Sequence, residues 1–171
     1  MKYTKILIAA FLLCFAQTAF SQVPADALIE KAQEKARKEN KNVMVFFHAS
    51  WCSWCKLMEK KMQQDNIKKI FEENFVFVPI DVQEKGEKKK LETPGGNELM
   101  AKYGGAKAGL PFFLFMNADG EVIENSLNEK NENLGCPSTK EEVSSFITKL
   151  KKSSKISDEQ LGKIGEVFMD K

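Results

Sequence analysis

The strongest structural constraint in this sequence is an apolar run that ends shortly before two closely spaced cysteines. Residues 43–47 are uninterrupted apolar side chains, and Cys52 and Cys55 follow. An apolar run of this length is typical of a strand buried on both faces of a sheet. Residues 56–64 then have apolar side chains at helical spacing. The sequence therefore predicts a strand, a turn and a helix, with both cysteines at the start of the helix.

The remaining segments alternate between helical and strand patterns. Helices are predicted over 23–41 and 97–103 and from residues 138 and 157, and strands over 75–82, 112–116 and 121–123. Residues 117–120, Asn-Ala-Asp-Gly, are a turn signal, so the last two strands form a hairpin. This order predicts one α/β domain over 22–171, with a central mixed sheet flanked by helices and an extra C-terminal helix from about residue 155.

Two local signals add detail to this outline. The run Ser138-Thr139-Lys140-Glu141 has the pattern of a capping box, with Ser138 and Glu141 as the reciprocal pair at the start of a helix. Residues 84–90 are dominated by charged side chains, which is typical of a solvated loop.

The first 21 residues are organised like a secretory signal peptide. Lys2 and Lys5 precede an apolar run over 6–16, and Ala19 and Ser21 occupy the small-residue positions before a cleavage site. The run is shorter than the about 20 apolar residues that a transmembrane helix needs. We therefore expect cleavage after about Ser21, no stable membrane insertion afterwards, and a periplasmic or secreted protein in a compartment where disulfides persist.

Composition excludes several classes of protein. Residues 1–21 contain two of the 26 basic residues and none of the 24 acidic ones, so their removal leaves a formal charge of zero. A neutral chain is a poor candidate for broad electrostatic binding to nucleic acid. Cleavage also removes Cys14, and the three remaining cysteines are too few for a disulfide-rich scaffold.

The positions of Cys52 and Cys55 predict redox chemistry. Cys52 is expected at a helix N-terminus, where free N–H groups and the helix dipole favour a thiolate and lower the thiol pKa. Cys55 follows one turn later on the same face, so the two sulfurs can form a disulfide or open into a dithiol without unfolding. Trp51 offers an apolar side chain that would shield Cys55. This chemistry needs no metal and no organic cofactor.

Other roles for the cysteine pair fit less well. A structural zinc site needs four ligands, which here would require both Cys136 and His48 beside the pair. Covalent haem attachment needs a histidine directly after the second cysteine, where this chain has Lys56. A purely structural disulfide would close a very short loop, which gives limited stabilisation. A metal carrier that uses three of these side chains stays open as an alternative.

The segment 47–56, Phe-His-Ala-Ser-Trp-Cys-Ser-Trp-Cys-Lys, resembles the active-site strand and turn of thioredoxins. The form Trp-Cys-x-x-Cys-Lys-x-Met-Glu over 51–59 is similar to the thioredoxin-like proteins of exported bacterial redox systems. The resemblance continues in Leu110-Pro111 before an apolar strand, and it covers most of residues 25–150. It implies a thioredoxin-like fold, a cis peptide bond at Pro111 beside the cysteines, and binding of an extended substrate segment by the backbone of Leu110.

Several positions depart from the thioredoxin pattern. Thioredoxins have a buried acid six residues before the first cysteine, where this chain has Phe46, so the resemblance implies less efficient thioredoxin-style reduction. Ser53-Trp54 replaces the usual Gly-Pro between the cysteines and should change the redox potential. His48, the only histidine, shares a strand face with Phe46 and either tunes the Cys52 thiolate or is a packed or solvent-facing side chain. Cys136 is either a small buried residue or passive surface thiol, or a third redox cysteine or site of intermolecular pairing.

Together these features predict a periplasmic thiol-disulfide oxidoreductase. Cys52 is the expected nucleophile and Cys55 the resolving thiol. The expected partners are disulfide-containing exported proteins and an unidentified redox donor or acceptor. The alternatives are a disulfide oxidase or isomerase, and a non-catalytic thioredoxin-like binding module.

Overall fold

The computed structural model describes residues 22–169, so the expected signal peptide over 1–21 lies outside the described residues. The helices are α1 (Ala25–Glu39), α2 (Ser53–Met62), α3 (Asp65–Asn74), α4 (Gly96–Lys102), α5 (Lys140–Ser153) and α6 (Asp158–Met169). The strands are β1 (Asn42–His48), β2 (Phe75–Asp81), β3 (Phe112–Met116) and β4 (Val122–Asn125). Short 3-10 segments at Gly86–Leu91 and Gly105–Lys107 interrupt the loops around α4.

The four strands form one mixed sheet, as the sequence predicts. The strand order is β2-β1-β3-β4, with β1 and β2 parallel and the other two pairs antiparallel. His48 at the end of β1 is in register with Asp81, and Phe47 is in register with Phe112. The carboxyl end of β1, which leads to the cysteines, therefore lies beside the end of β2 and the beginning of β3.

Alternating side chains of β1 supply two separate cores, one on each face of the sheet. Met44 and Phe46 belong to a core that also contains both cysteines and buried residues of α2, α3, α5 and α6. Val43, Val45 and Phe47 belong to the opposite core, which α1 and α4 cover. Because β1 is buried on both faces, its sequence is uniformly apolar rather than alternating.

The start of α5 differs from the predicted capping box by one residue. Thr139 is the capping residue, and its hydroxyl accepts from the Glu142 amide while the Glu142 carboxylate accepts from the Thr139 amide. The expected pair, Ser138 and Glu141, is wrong, although Ser138 also donates to Glu142.

The C-terminal helix is an integral part of the fold rather than an appendage. Its apolar face enters the cysteine-containing core through Leu161, Ile164, Val167 and Phe168. Lys61 of α2 is only 7% exposed, and its ammonium donates to the carbonyl oxygens of Val167 and Phe168 at 2.9 and 3.2 Å. A cation at the carbonyl end of a helix is favourable, so Lys61 fixes the last turn of α6 against the domain. None of the helices within 22–169 is both long enough and apolar enough to cross a membrane.

Candidate active site

The two cysteines lie at the carboxyl end of β1, where the chain turns into α2. The Cys52 amide donates to the Ala49 carbonyl oxygen at 3.0 Å and closes a tight turn over 49–52. Cys52 is the residue immediately before α2, and Cys55 lies in its first turn. The two side chains form a disulfide across a Cα–Cα distance of 5.3 Å. The predicted placement of the pair at the helix N-terminus is confirmed.

The environments of the two sulfurs are unequal. The backbone N–H of Cys55 donates to Sγ of Cys52 at 3.1 Å, so the first sulfur receives one of the free donors of the helix N-terminus. Cys52 is 4% exposed and Cys55 is 0% exposed. Both cysteines belong to the same core, and in the reduced state the hydrogen bond from the helix N-terminus favours negative charge on Cys52.

Phe46 belongs to the apolar core that contains the cysteine pair. Phe46 is fully buried in the same core cluster as both cysteines, and its ring lies 5.5 Å from the ring of Phe77. An apolar ring therefore occupies the strand position at which a thioredoxin would have an acid.

His48 lies between two carboxylates at the carboxyl end of β1. Its Nδ1 is 3.6 Å from Oε1 of Glu59, and its Nε2 is 3.5 Å from Oδ1 of Asp81. Glu59 is four residues after Cys55 in α2, so His48 contacts the helix one turn beyond the second cysteine. The expectation that His48 tunes the thiolate stays a prediction.

The turn before Cys52 is held by the segment that follows β2. The amide and hydroxyl of Ser50 donate to the Glu84 carboxylate at 2.5 and 2.8 Å. The indole N–H of Trp51 donates to the Gln83 carbonyl oxygen at 2.7 Å, and the Lys85 ammonium lies 4.2 Å from the centre of the Trp51 ring. Trp51 is about half exposed and is held against this segment. The expectation that it shields Cys55 stays a prediction.

Glu84 corrects the expectation that the charged run 84–90 is a solvated loop. The other five charged residues from 85 to 90 are exposed, but Glu84 is only 4% exposed. The backbone N–H of Ser50, which donates to the carboxylate, holds the pKa of Glu84 below its usual value. Burial of a carboxylate requires such donors, which Ser50 provides.

The loop before β3 completes the site. The Leu110–Pro111 peptide bond is cis, as the resemblance implies. The side-chain amide of Asn133 donates to the carbonyl oxygens of Gly109 and Pro111 at 2.7 and 3.0 Å, and its oxygen accepts from the Ser126 hydroxyl at 2.7 Å. Asn133 therefore holds residues 109–111, the proline loop, in place from a separate segment of the chain.

An open groove of about 300 Å³ lies beside the proline loop. Trp54, which is about half exposed, lines it together with Leu110 and Cys136. Cys136 is a free, buried thiol, and burial raises its pKa to about 11.

Ser53, the other residue between the cysteines, is exposed at the first position of α2. Within residues 22–169, no three His, Cys, Asp or Glu side chains are arranged to hold a metal ion.

Residues 29–128 match the family model described as a thioredoxin-like domain, and this match covers more than half of the chain. The chain belongs to the thioredoxin-like family. This result confirms the fold class predicted from the sequence, and with the Cys52–Cys55 pair it supports a thiol-disulfide oxidoreductase.

Individual proteins are similar over parts of this thioredoxin-like chain. Thiol:disulfide interchange protein DsbD of Colwellia psychrerythraea is 32% identical over 106 residues, which are 61% of this chain and 16% of that protein. Human spermatogenesis-associated protein 20 is 36% identical over 63 residues, which are 36% of this chain and 8% of that protein. The chain thus matches only a small part of these relatives. The crystal structure of a disulphide isomerase from Xylella fastidiosa has a TM-score of 0.49 and 24% identity, over 65% of this chain and 76% of that one.

Sequence reasoning missed two residues that organise this thioredoxin-like site. Glu84 stands within a charged run, and nothing local distinguishes it from its solvated neighbours. Asn133 stands in a polar loop 22 residues from Pro111. Both act through contacts distant in sequence, which periodicity and motif spacing cannot reveal.

Proposed function

We propose that this protein is an exported thiol-disulfide oxidoreductase that reduces or exchanges disulfides of other exported proteins through Cys52 and Cys55. The observation that carries this proposal is the asymmetry of the pair. Cys52 receives a backbone N–H at the helix N-terminus, and Cys55 lies behind it in the core. Such an arrangement suits one attacking and one resolving thiol.

The exchange is balanced in two steps. The Cys52 thiolate attacks one sulfur of the substrate disulfide, the substrate S–S bond breaks, and its other sulfur leaves as a thiolate. The Cys55 thiolate then attacks Cys52, which releases the second substrate sulfur and forms the Cys52–Cys55 disulfide. The substrate gains two electrons and two protons, and the protein loses them. The opposite direction oxidises the substrate by the same steps in reverse.

The proline loop is the proposed substrate contact. Leu110 would pair its backbone with an extended substrate segment beside the cysteines, as the family resemblance implies. The hydrogen bonds from Asn133 to both sides of this residue support a loop that is already in position. Trp54 and Leu110 line a groove that could receive a side chain of that segment.

The proposed location follows from residues 1–21, whose pattern predicts export and cleavage after about Ser21. In the periplasm or outside the cell, the partners would be disulfide-containing exported proteins and a separate redox donor or acceptor. Mass spectrometry of the mature protein would test the cleavage position through its N-terminal residue.

A redox titration tests the direction of electron flow. The Cys52–Cys55 couple would be equilibrated with glutathione in a Cys136→Ala variant, so that only one couple titrates. A potential of about −270 mV supports a reductase, and one of about −120 mV supports the disulfide oxidase alternative.

Reduction of a small neutral disulfide, bis(2-hydroxyethyl) disulfide, tests the activity itself. The protein with Cys52 and Cys55 both replaced by Ser is the matched control. If the intact protein reacts no faster than this control, the protein is a non-catalytic binding module and the proposed activity is wrong.

A further inference from the structure

The segment over 82–92 is fastened directly to the turn that precedes the nucleophile. Val82 continues the contact between β1 and β2, because its amide donates to the His48 carbonyl oxygen at 2.9 Å. Gln83 and Glu84 then hold Trp51 and Ser50 through the hydrogen bonds described above. The segment therefore presents its remaining side chains beside Cys52.

Two of the three acidic residues in this segment are directed into the protein. Glu84 is buried on Ser50. Glu92 is half-buried, and its two carboxylate oxygens accept from the Glu84 amide at 2.7 Å and from the Asn97 side chain at 2.8 Å. The third, Glu87, is exposed and lies 3.9 Å from the ammonium of Lys90.

The lysines of the segment face solvent. Lys85 stacks on the exposed ring of Trp51, and Lys88 donates to the Ser50 hydroxyl at 3.0 Å. Lys89, next to Lys88, is also exposed. Lys90 lies near Glu87, which leaves Lys85, Lys88 and Lys89 as the other exposed positive charges of the segment. With four lysines and three glutamates, the whole segment has a formal net charge of +1. Lys85 and Lys88 contact the residues immediately before Cys52.

We propose that Lys85, Lys88 and Lys89 form a docking surface for an acidic segment that flanks the disulfide of the substrate. This inference rests on the proposed function and names the chemistry of its substrate. Positive charges beside a reactive sulfur attract a negatively charged partner and raise its rate of association. The effect depends on salt, because dissolved ions screen charges that are exposed to solvent.

Two synthetic disulfide peptides test the proposal. Each carries one cysteine in a mixed disulfide with 2-mercaptoethanol, flanked by four Glu in one peptide and by four Lys in the other. The rate with reduced protein is divided by the rate with dithiothreitol, which removes intrinsic differences between the peptides. At low ionic strength we expect the acidic peptide to react about tenfold faster than the basic one. In about 1 M NaCl, where the screening length is about 3 Å, the ratio should approach one.

Charge variants locate the effect on the surface. Replacement of Lys85, Lys88 and Lys89 by Gln should remove most of the preference for the acidic peptide. The matched control replaces Lys31, Lys35 and Lys38 by Gln, which removes the same charge from the exposed face of α1. The neighbouring Arg37 contacts Ala118 in the β3–β4 turn, at the end of the sheet away from the cysteines. This control should keep the preference.

A single charge reversal at Lys89 tests the charge effect without disturbing the contacts that hold the segment. Lys89→Glu leaves the contacts of Lys85 and Lys88 in place and should lower the acidic-to-basic ratio about threefold. If both peptides react at equal normalised rates, or if the α1 control loses the preference as well, the docking surface is wrong. The reaction with neutral bis(2-hydroxyethyl) disulfide distinguishes failure of the docking surface from failure of the proposed function. If the protein does not reduce this disulfide, the proposed function itself is wrong.

Discussion

Cys55 donates its backbone N–H to the sulfur of Cys52 over 3.1 Å. In the proposed mechanism, the resolving residue therefore stabilises the attacking one through an N–H of the helix that begins there. A thiolate on Cys52 would accept a charge-assisted hydrogen bond from this N–H. Among the described residues, no comparable donor is directed at the sulfur of Cys55. This contact thus supports the proposed order of attack by Cys52 and resolution by Cys55.

Single serine substitutions should separate attack from resolution. Cys55→Ser keeps the backbone donor and the Cys52 sulfur, so mixed disulfides with client proteins should accumulate on Cys52. Cys52→Ser should trap little, because Cys55 is 0% exposed. Non-reducing gels after acid quenching would show the adducts as bands that disappear with reductant. Equal trapping by the two variants would contradict the ordered mechanism.

Replacement of His48 should change the titration of the Cys52 thiol. His48 contacts Glu59 on the helix that begins with the cysteine pair, so His48→Ala removes a titratable group near α2. The pH dependence of Cys52 alkylation measures the effect, with Asp81→Asn as a control for loss of the other carboxylate contact. An unchanged titration curve would make His48 a structural residue only.

Asn133 should affect large substrates more than small ones. Asn133→Asp replaces the donor to the Gly109 and Pro111 carbonyl oxygens by an acceptor, which should loosen the proline loop and cost about 2 kcal/mol of stability. We expect a higher KM for a disulfide peptide and little change with bis(2-hydroxyethyl) disulfide. Lys130→Gln, an exposed change of the same net charge in the same loop, is the control. Equal losses for both substrates would argue against loop positioning.

The sequence predicted the strand, the turn and the helix around the cysteines because their patterns are local and continuous. It also placed the hairpin, and the cis bond at Pro111 followed from the resemblance. The position of the α5 cap failed for a physical reason. Ser138–Glu141 and Thr139–Glu142 both satisfy the capping pattern, so the local sequence alone does not select between them.

Lys61 should be required for the stability of the C-terminal helix. Lys61→Met removes two donors to the last carbonyl oxygens of α6 and should lower the free energy of unfolding by about 2 kcal/mol. Thermal unfolding of this variant would be compared with Lys60→Met, an exposed lysine one position earlier. A midpoint equal to that of the Lys60 variant would show that α6 is held by apolar packing alone.

Cys136 should make stability depend on alkaline pH. Burial raises its pKa from 9.0 to about 11, so the folded state holds the proton more tightly than the unfolded state. Its stabilising contribution is complete below pH 9 and is lost as the pH rises towards 11, with about 1 kcal/mol lost by pH 10. Chemical denaturation at pH 8 and pH 10 measures this loss, and Cys136→Ala should lack it. Parallel losses in both proteins would contradict the assignment to this thiol.

The chain contains two tryptophans, and both stand beside Cys52. Trp51 precedes it on the side of the lysine-bearing segment, and Trp54 follows it on the side of the groove. A neighbouring disulfide quenches indole emission, so intrinsic fluorescence of the unlabelled protein should report the oxidation state of the pair. Because the two rings lie on different sides of the sulfur, Trp51→Phe and Trp54→Phe would give separate optical signals for events at each side.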